Sequence, residues 1–288
     1  MTAPTNANAP AVRPRDDELD LYGLTHPGRV RTVNQDQFLL CTVHPQVVVH
    51  GTSLDPAAIN ARGERLATIM LVADGVGGSV DGSEASRLAT IAISEYFAST
   101  MRCWHAAGSA SEEEFTSALS AAALEAHRRV KEQSAIQFDG RVMATTLSVG
   151  IVVWPWLYVV QVGDSRCYHY EQGTLRQLTR DQTIAQELID RGALTRERAQ
   201  QSPLQHVLAS AIGAEEAMPE VTRLQISARG NITLVCSDGL TKHVTDAEIA
   251  EQCRTMTSSK QLCEALLAMA LERGGTDNVT IVVGRARP

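Results

Sequence analysis

Five aspartates carry the chemistry that can be read from this chain. Asp74 follows the apolar run 67–73 and precedes Gly75-Val76-Gly77-Gly78. Asp238 follows the run 232–237 and precedes Gly239, while Asp277, in Gly274-Gly275-Thr276-Asp277-Asn278, leads into the run 279–283. An acid at the end of a β-type run, with glycine beside it, lies where the backbone can approach an ion or a phosphate closely. Alone, each Asp-Gly is also an ordinary turn signal. Repetition is more informative, because three acids at the ends of three β-type runs can converge. Asp36, in Asn34-Gln35-Asp36, and Asp139, in Gln137-Phe138-Asp139-Gly140, also stand beside turn signals. Carboxylates gathered in this number repel one another strongly unless cations neutralise them. All-oxygen ligands, with no cysteine or histidine at ligand spacing, favour Mg²⁺ or Mn²⁺ over zinc. Two such ions can share a hydroxide and clamp an in-line displacement at phosphorus.

The elements that must position these acids follow from periodicity. Strands are expected over 19–24, 67–73, 145–153, 157–162, 166–170, 221–227, 231–236 and 279–284, and a polar turn over 28–36 re-enters a further strand. Helices are expected from the caps at Ser83 and Ser111, over 183–191 and 195–200 as short pieces, and near 246–253 and 258–272. Residues 41–66 read as a surface connection whose His44 and His50 are solvent-exposed bystanders. Residues 202–213 have no clear pattern and are expected to be mobile. Without repeats or linkers after residue 20, the chain reads as a disordered lead-in over 1–18 and one domain over 19–288. That domain is of α+β class, with antiparallel-rich sheets and helices outside.

Composition removes other functions. Apolar content of 44% and charged content of 20% are those of an ordinary globular chain,. A net charge of −7 argues against a nucleic-acid partner, which requires a clustered basic face,. The six cysteines form no CxxC pair and are expected to be reduced core thiols,. Neither a signal peptide nor a membrane span is legible, so a cytoplasmic protein is expected.

Taken in order, the motifs resemble the metal-dependent protein serine/threonine phosphatases of type 2C, in their bacterial form. The matching stretches are Gly28-x-Val30-Arg31-x-x-Asn34-Gln35-Asp36, Ala73-Asp74-Gly75-Val76-Gly77-Gly78 with Gly82-Ser83-Glu84-Ala85-Ser86, and Met143-Ala144-Thr145-Thr146-Leu147. They continue with Val162-Gly163-Asp164-Ser165-Arg166, Leu178-Thr179-Arg180-Asp181, Ser237-Asp238-Gly239-Leu240 and Gly275-Thr276-Asp277-Asn278-Val279-Thr280. The resemblance covers residues 20–285.

It implies a four-layer αββα sandwich, two antiparallel sheets flanked by helix pairs, with two Mn²⁺ or Mg²⁺ ions at one end. Carried over, Asp74 bridges both ions, Asp238 and Asp277 complete one site, and the Gly75 carbonyl helps hold the other. Gln35 and Asp36 order the waters on the ions, and Arg31 grips the substrate phosphate. Asp139 matches the acid that some bacterial members use for a third, weaker ion. The implied reaction is hydrolysis of phosphoserine or phosphothreonine by direct attack of a hydroxide bridging the ions, with no phosphoenzyme. Implied partners are phosphorylated proteins, a cognate serine/threonine kinase and its targets among them, and the enzyme is expected to be a monomer. Three positions depart from the pattern: Ala144 replaces a glycine, Gln182 a histidine, and Val76 stands where eukaryotic members carry a histidine proposed as general acid. The proton donor to the leaving group is therefore unassigned. Asp164 and Arg166 read as structural. Two rival functions are an inactive phosphoprotein-binding adaptor of the same fold and a metal-dependent phosphodiesterase. Retention of Asp74, Asp238, Asp277 and Arg31 argues against the adaptor, and the acidic surface and motif order against the phosphodiesterase.

Overall fold

Strand β3 (Ala67–Ala73) is buried along its whole length, and its alternation shows how the layers are assembled. Ala67, Ile69, Leu71 and Ala73 face one apolar core, while Met70 and Val72 face another. A strand buried on both faces reads as a continuous apolar run, which is why this segment and 279–283 carry no polar alternation. The structure is a computed structural model and describes residues 12–46, 49, 53–55, 62–77, 80–107, 112–137, 142–199, 202–226 and 229–287.

Two five-stranded antiparallel sheets stack face to face. The first has the order β1 (Leu19–His26), β12 (Val279–Ala286), β11 (Ile232–Cys236), β8 (Arg166–Glu171), β9 (Thr174–Gln177). In the second the order is β10 (Glu220–Gln225), β7 (Trp156–Val162), β6 (Leu147–Val153), β3, β2 (Gln37–Val43). A two-stranded ribbon, β4 (Gly75–Val76) with β5 (Ala144–Thr145), extends the second sheet at its end. Val235 and Val282 meet Met70, Val72 and Val159 between the sheets. Helices α1 (Val80–Ala107) and α2 (Glu112–Gln137) cover the second sheet through Ala85, Ala89, Ile93, Ala122, Ala126 and Val130. On the opposite face, α6 (Asp246–Thr255) and α7 (Ser259–Glu272) cover the first through Ile249, Leu262, Leu266 and Ala270. The result is the expected αββα order.

Short elements complete the chain: α3 (Ile184–Asp190), α4 (Arg196–Ala199) and the single turn α5 (Asp238–Thr241). Residues Glu171-Gln172-Gly173 form the expected hairpin turn, with positive φ at Gln172 and Gly173,. The expected mobile stretch near 202–213 is tied down instead. Thr183 pairs with Leu208 and Thr145 with Ile212, and Ser210, Ala211 and Ile212 are buried. Its isolated bridges leave no periodic signature in the sequence. The chain is also anchored ahead of Leu19: the Arg65 guanidinium is buried and bonds Asp16 and the Pro14 carbonyl.

Candidate metal centre

Strand register brings the acids to one end of the sandwich. Gln37 pairs with Ala73, His26 with Val279, and Cys236 with Ile281. Asp36, Asp74, Asp238 and Asp277, each one or two residues beyond those strand ends, therefore share one rim. Arg31, Asp74, Asp164, Asp238, Lys242 and Asp277 line a cleft of about 270 Å³ there.

Each acid is held by its own backbone and neighbours. The Asp74 N–H donates to the Thr146 hydroxyl at 3.0 Å, and its carbonyl accepts from Thr146 N–H at 2.8 Å and Thr145 Oγ1 at 2.9 Å. Asp36 is buried, and its Oδ2 accepts from Ser237 Oγ at 2.8 Å and Thr280 Oγ1 at 2.7 Å. Asn278 staples the loop that carries it: Nδ2 donates to the Pro27 and Val33 carbonyls, and Oδ1 accepts from Gln35 N–H at 2.8 Å. Space is equally restrictive. A Cβ at Gly75 would collide with the Gly82 and Gln35 carbonyls, and one at Gly239 with the Asn278 carbonyl,.

The cleft is electrostatically stressed. Burial, followed by the charges of Asp36 and Asp238, pushes the Asp74 carboxyl well above the usual range,. Burial raises Asp36 to about 6 against its two hydroxyl donors, and Asp164 to about 8 with Asp238 and Asp181 adding to the rise. Asp277 goes the other way: burial works to raise it, but Lys242 and Arg31 outweigh that and hold it low. Asp36 Oδ1 and Asp238 Oδ1 are buried and accept no hydrogen bond among the described residues. An orphaned carboxylate oxygen at the cleft, as on Asp238, or behind it beside Asp74, as on Asp36, is a position for a cation or the waters around one, and an all-oxygen set suits Mg²⁺ or Mn²⁺,. The residues present therefore fit a divalent-ion centre.

The expected residues differ in what they touch. Asp36, Asp74, Asp238 and Asp277 come together, with Gly75 beside them. Among the described residues, no three such side chains are drawn around a single point. Arg31 lines the cleft but forks onto Asp277, with Nε 2.9 Å from Oδ1 and the terminal nitrogen 3.1 Å from Oδ2. Asp139 lies outside the described residues. Arg166 is held in a two-pronged pair with Asp181. Asp164 instead lines the cleft itself. Gln182 is structural: its Oε1 accepts from Gly163 N–H at 2.9 Å and its Nε2 donates to the Met218 carbonyl at 2.9 Å. Sequence reasoning missed Lys242, whose Nζ lies 2.6 Å from Asp238 and 2.8 Å from Asp277. Its place four residues after Asp238 was the available signal.

Fold and site define a class, an αββα sandwich whose strand ends gather carboxylates, which is the plan of the metal-dependent phosphatases. A family model described as Protein phosphatase 2C matches residues 54–274, and the chain belongs to that family of serine/threonine phosphatases. It is 30% identical over 215 residues to the serine/threonine phosphatase stp of Listeria welshimeri, covering 75% of this chain and 83% of that one. Protein phosphatase PhpP of Streptococcus pneumoniae is 27% identical over 272 residues, 92% of this chain and 96% of that one. Among solved structures, the serine/threonine phosphatase PstP/Ppp of Mycobacterium tuberculosis superposes with a TM-score of 0.74 at 27% identity, over 94% of this chain and 99% of that one. The catalytic domain of PstP in complex with two manganese ions gives 0.71 at 27% identity, over 94% and 99%. Family and fold are thus those the motif order implied. Among the described residues no helix is long and apolar enough to cross a membrane.

Proposed function

We propose that this chain hydrolyses phosphoserine and phosphothreonine in proteins at the acidic cleft, using two divalent ions. The observation that carries this reading is the buried Asp238 oxygen without a donor, in a cleft that Asp238 shares with Asp74, Asp277 and the Arg31 guanidinium. Asp74, Asp238, Asp277 and the Gly75 carbonyl would hold Mn²⁺ or Mg²⁺, with Asp139 serving a third, weaker ion. When bound, the ions supply activation of the attacking water and neutralisation of charge developing on the phosphoryl oxygens.

The chain's own residues do the rest. Asp36, fixed by Ser237 and Thr280 and adjoining Asp74, orders water there,. Arg31 exchanges its fork on Asp277 for the equatorial oxygens of the substrate phosphate. Water oxygen bonds to phosphorus and gives up one proton to solvent, the bond from phosphorus to the serine or threonine oxygen breaks, and that oxygen takes up a proton from solvent-accessible water, leaving inorganic phosphate. Val76, at the position where eukaryotic members carry a histidine, has no titratable side chain to deliver that proton.

The cleft opens into a groove of about 1260 Å³ walled by Thr183, Gln186 and His206 on one side and Thr241, His243 and Asp246 on the other. A phosphorylated peptide segment fits such an open trough, which supports phosphoproteins, including a cognate serine/threonine kinase and its targets, as substrates. A monomer acting in the cytoplasm is the matching setting. The test compares Mn²⁺-dependent phosphate release from a phosphothreonine peptide with hydrolysis of a phosphodiester. Release from the peptide alone supports the reading. Peptide binding without release would make the chain an adaptor, and preference for the diester would make it a phosphodiesterase.

A further inference from the structure

Lys242 stands where the two proposed ligands of one ion face each other. Its Nζ lies 2.6 Å from Asp238 Oδ2 and 2.8 Å from Asp277 Oδ2, with the side chain 24% exposed. The pair with Asp238 alone would be an ordinary contact across one helical turn. The pair with Asp277, 35 residues on and in another element, makes Lys242 a bridge across the centre. Its backbone cannot follow a moving side chain. Lys242 N–H donates to the Asp238 carbonyl at 2.8 Å, and the next residue is pinned from two sides: Thr276 N–H meets His243 Nε2 at 3.0 Å, and Arg273 donates to the His243 carbonyl at 2.8 Å.

An ammonium at hydrogen-bond distance and a divalent ion at coordination distance need the same carboxylate oxygens. Both cannot sit between Asp238 and Asp277, because two positive charges that close would repel more than the shared carboxylates could offset. Among the described residues no hydrogen bond or ion pair joins Lys242 to Asp74, so an ion held there is not opposed in this way. We propose that Lys242 is a tethered competitor for the ion shared by Asp238 and Asp277. It keeps the two carboxylates paired when the ion is absent and makes that ion the weaker and exchangeable one of the two. This inference rests on the metal-site reading above. It adds a built-in dependence of occupancy on metal concentration, with Lys242 spanning both carboxylates.

The experiment is calorimetric titration of Mn²⁺ into the chelator-treated full chain, as wild type, Lys242→Met, Lys242→Gln and Lys242→Arg, with thermal unfolding of each in EDTA and in Mn²⁺. Removing the ammonium should tighten the weaker Mn²⁺ site about tenfold or more, the lower end of what close charge pairs couple. It should also lower the unfolding temperature in EDTA, with Mn²⁺ restoring it, while Lys242→Arg keeps weak binding. Two neutral variants guard against one that packs badly. Unchanged or weaker Mn²⁺ affinity in both neutral variants, with native circular dichroism, overturns the proposal and leaves the metal centre standing. A wild-type chain that takes up no Mn²⁺ overturns both.

Discussion

Asp36 and Thr280, 244 residues apart in the chain, meet behind the cleft, where the Thr280 hydroxyl donates to Asp36 Oδ2 at 2.7 Å. That hydroxyl has one proton, so its 2.7 Å contact with the Thr25 hydroxyl must have Thr25 as donor,. Thr25 Oγ1 in turn accepts from Asn34 Nδ2 at 2.8 Å. A directed series of donors thus runs from Asn34 to the acid that abuts Asp74, and it crosses β1, β12 and the loop between β1 and β2.

Thr280→Val preserves shape and removes that donor from a buried carboxylate. The variant should lose roughly 1–3 kcal/mol of stability, the range for leaving a buried polar group without its partner. Urea unfolding with an unchanged slope and a lower midpoint is the expected record. A midpoint equal to that of the wild type would mean that water replaces the hydroxyl and that the series is incidental.

How far this centre was legible depends on where each residue's partners lie. Asp74, Asp238 and Asp277 were readable because each ends or begins a strand buried on both faces, and such strands announce themselves as apolar runs. Thr280 and Ser237 look like ordinary members of those runs, and only the register of β11 on β12 turns both hydroxyls onto Asp36. Lys242 was hidden for a similar reason, since its decisive partner is 35 residues away. Strand β9 escaped notice because Thr174–Gln177 is short, half-exposed and polar, and only its hairpin turn gave a signal. Leu208 and Ile212 were unreadable because each is held by a single isolated bridge, to Thr183 and to Thr145.

Asp238→Asn removes a charged ligand from the proposed centre and should lower kcat by on the order of a thousandfold, as loss of one preorganised electrostatic group does. EDTA should abolish wild-type turnover, and Mn²⁺ or Mg²⁺ should restore it. Steady-state assays before and after exhaustive chelation check both. Turnover that survives chelation would end the two-ion reading.

Arg31→Ala separates phosphate binding from metal binding. The guanidinium forks onto Asp277, so its removal frees Oδ1 and leaves Oδ2 to Lys242, and Mn²⁺ affinity should stay the same or rise. KM for a phosphopeptide should rise with kcat little changed, because contacts made equally in ground and transition states are uniform binding. Calorimetry showing weaker Mn²⁺ binding would recast Arg31 as a support for the metal centre.

His169, on β8 at the end of the sandwich away from the cleft, supplies the pH dependence. It is 4% exposed, and neither ring nitrogen finds a partner among the described residues. Burial lowers its pKa below the usual 6.5, outweighing the pull of Glu171, with Arg176 adding to the fall. The folded chain therefore keeps the imidazole neutral where the unfolded chain takes up a proton. Below about 6.5 the unfolded state binds more protons than the native state, so stability falls as pH drops through the ordinary histidine range and is unaffected above it. His169→Met removes the titrating group and leaves His127, whose pKa is also lowered by burial, in place in both proteins. Between pH 7.5 and 5 the wild type should lose more stability than the variant, so that the difference between their unfolding free energies changes with pH below about 6.5 and is flat above it. Urea unfolding at half-unit pH steps measures that difference. Parallel curves across the whole range would show that His169 is protonated in the folded chain as readily as in the unfolded one.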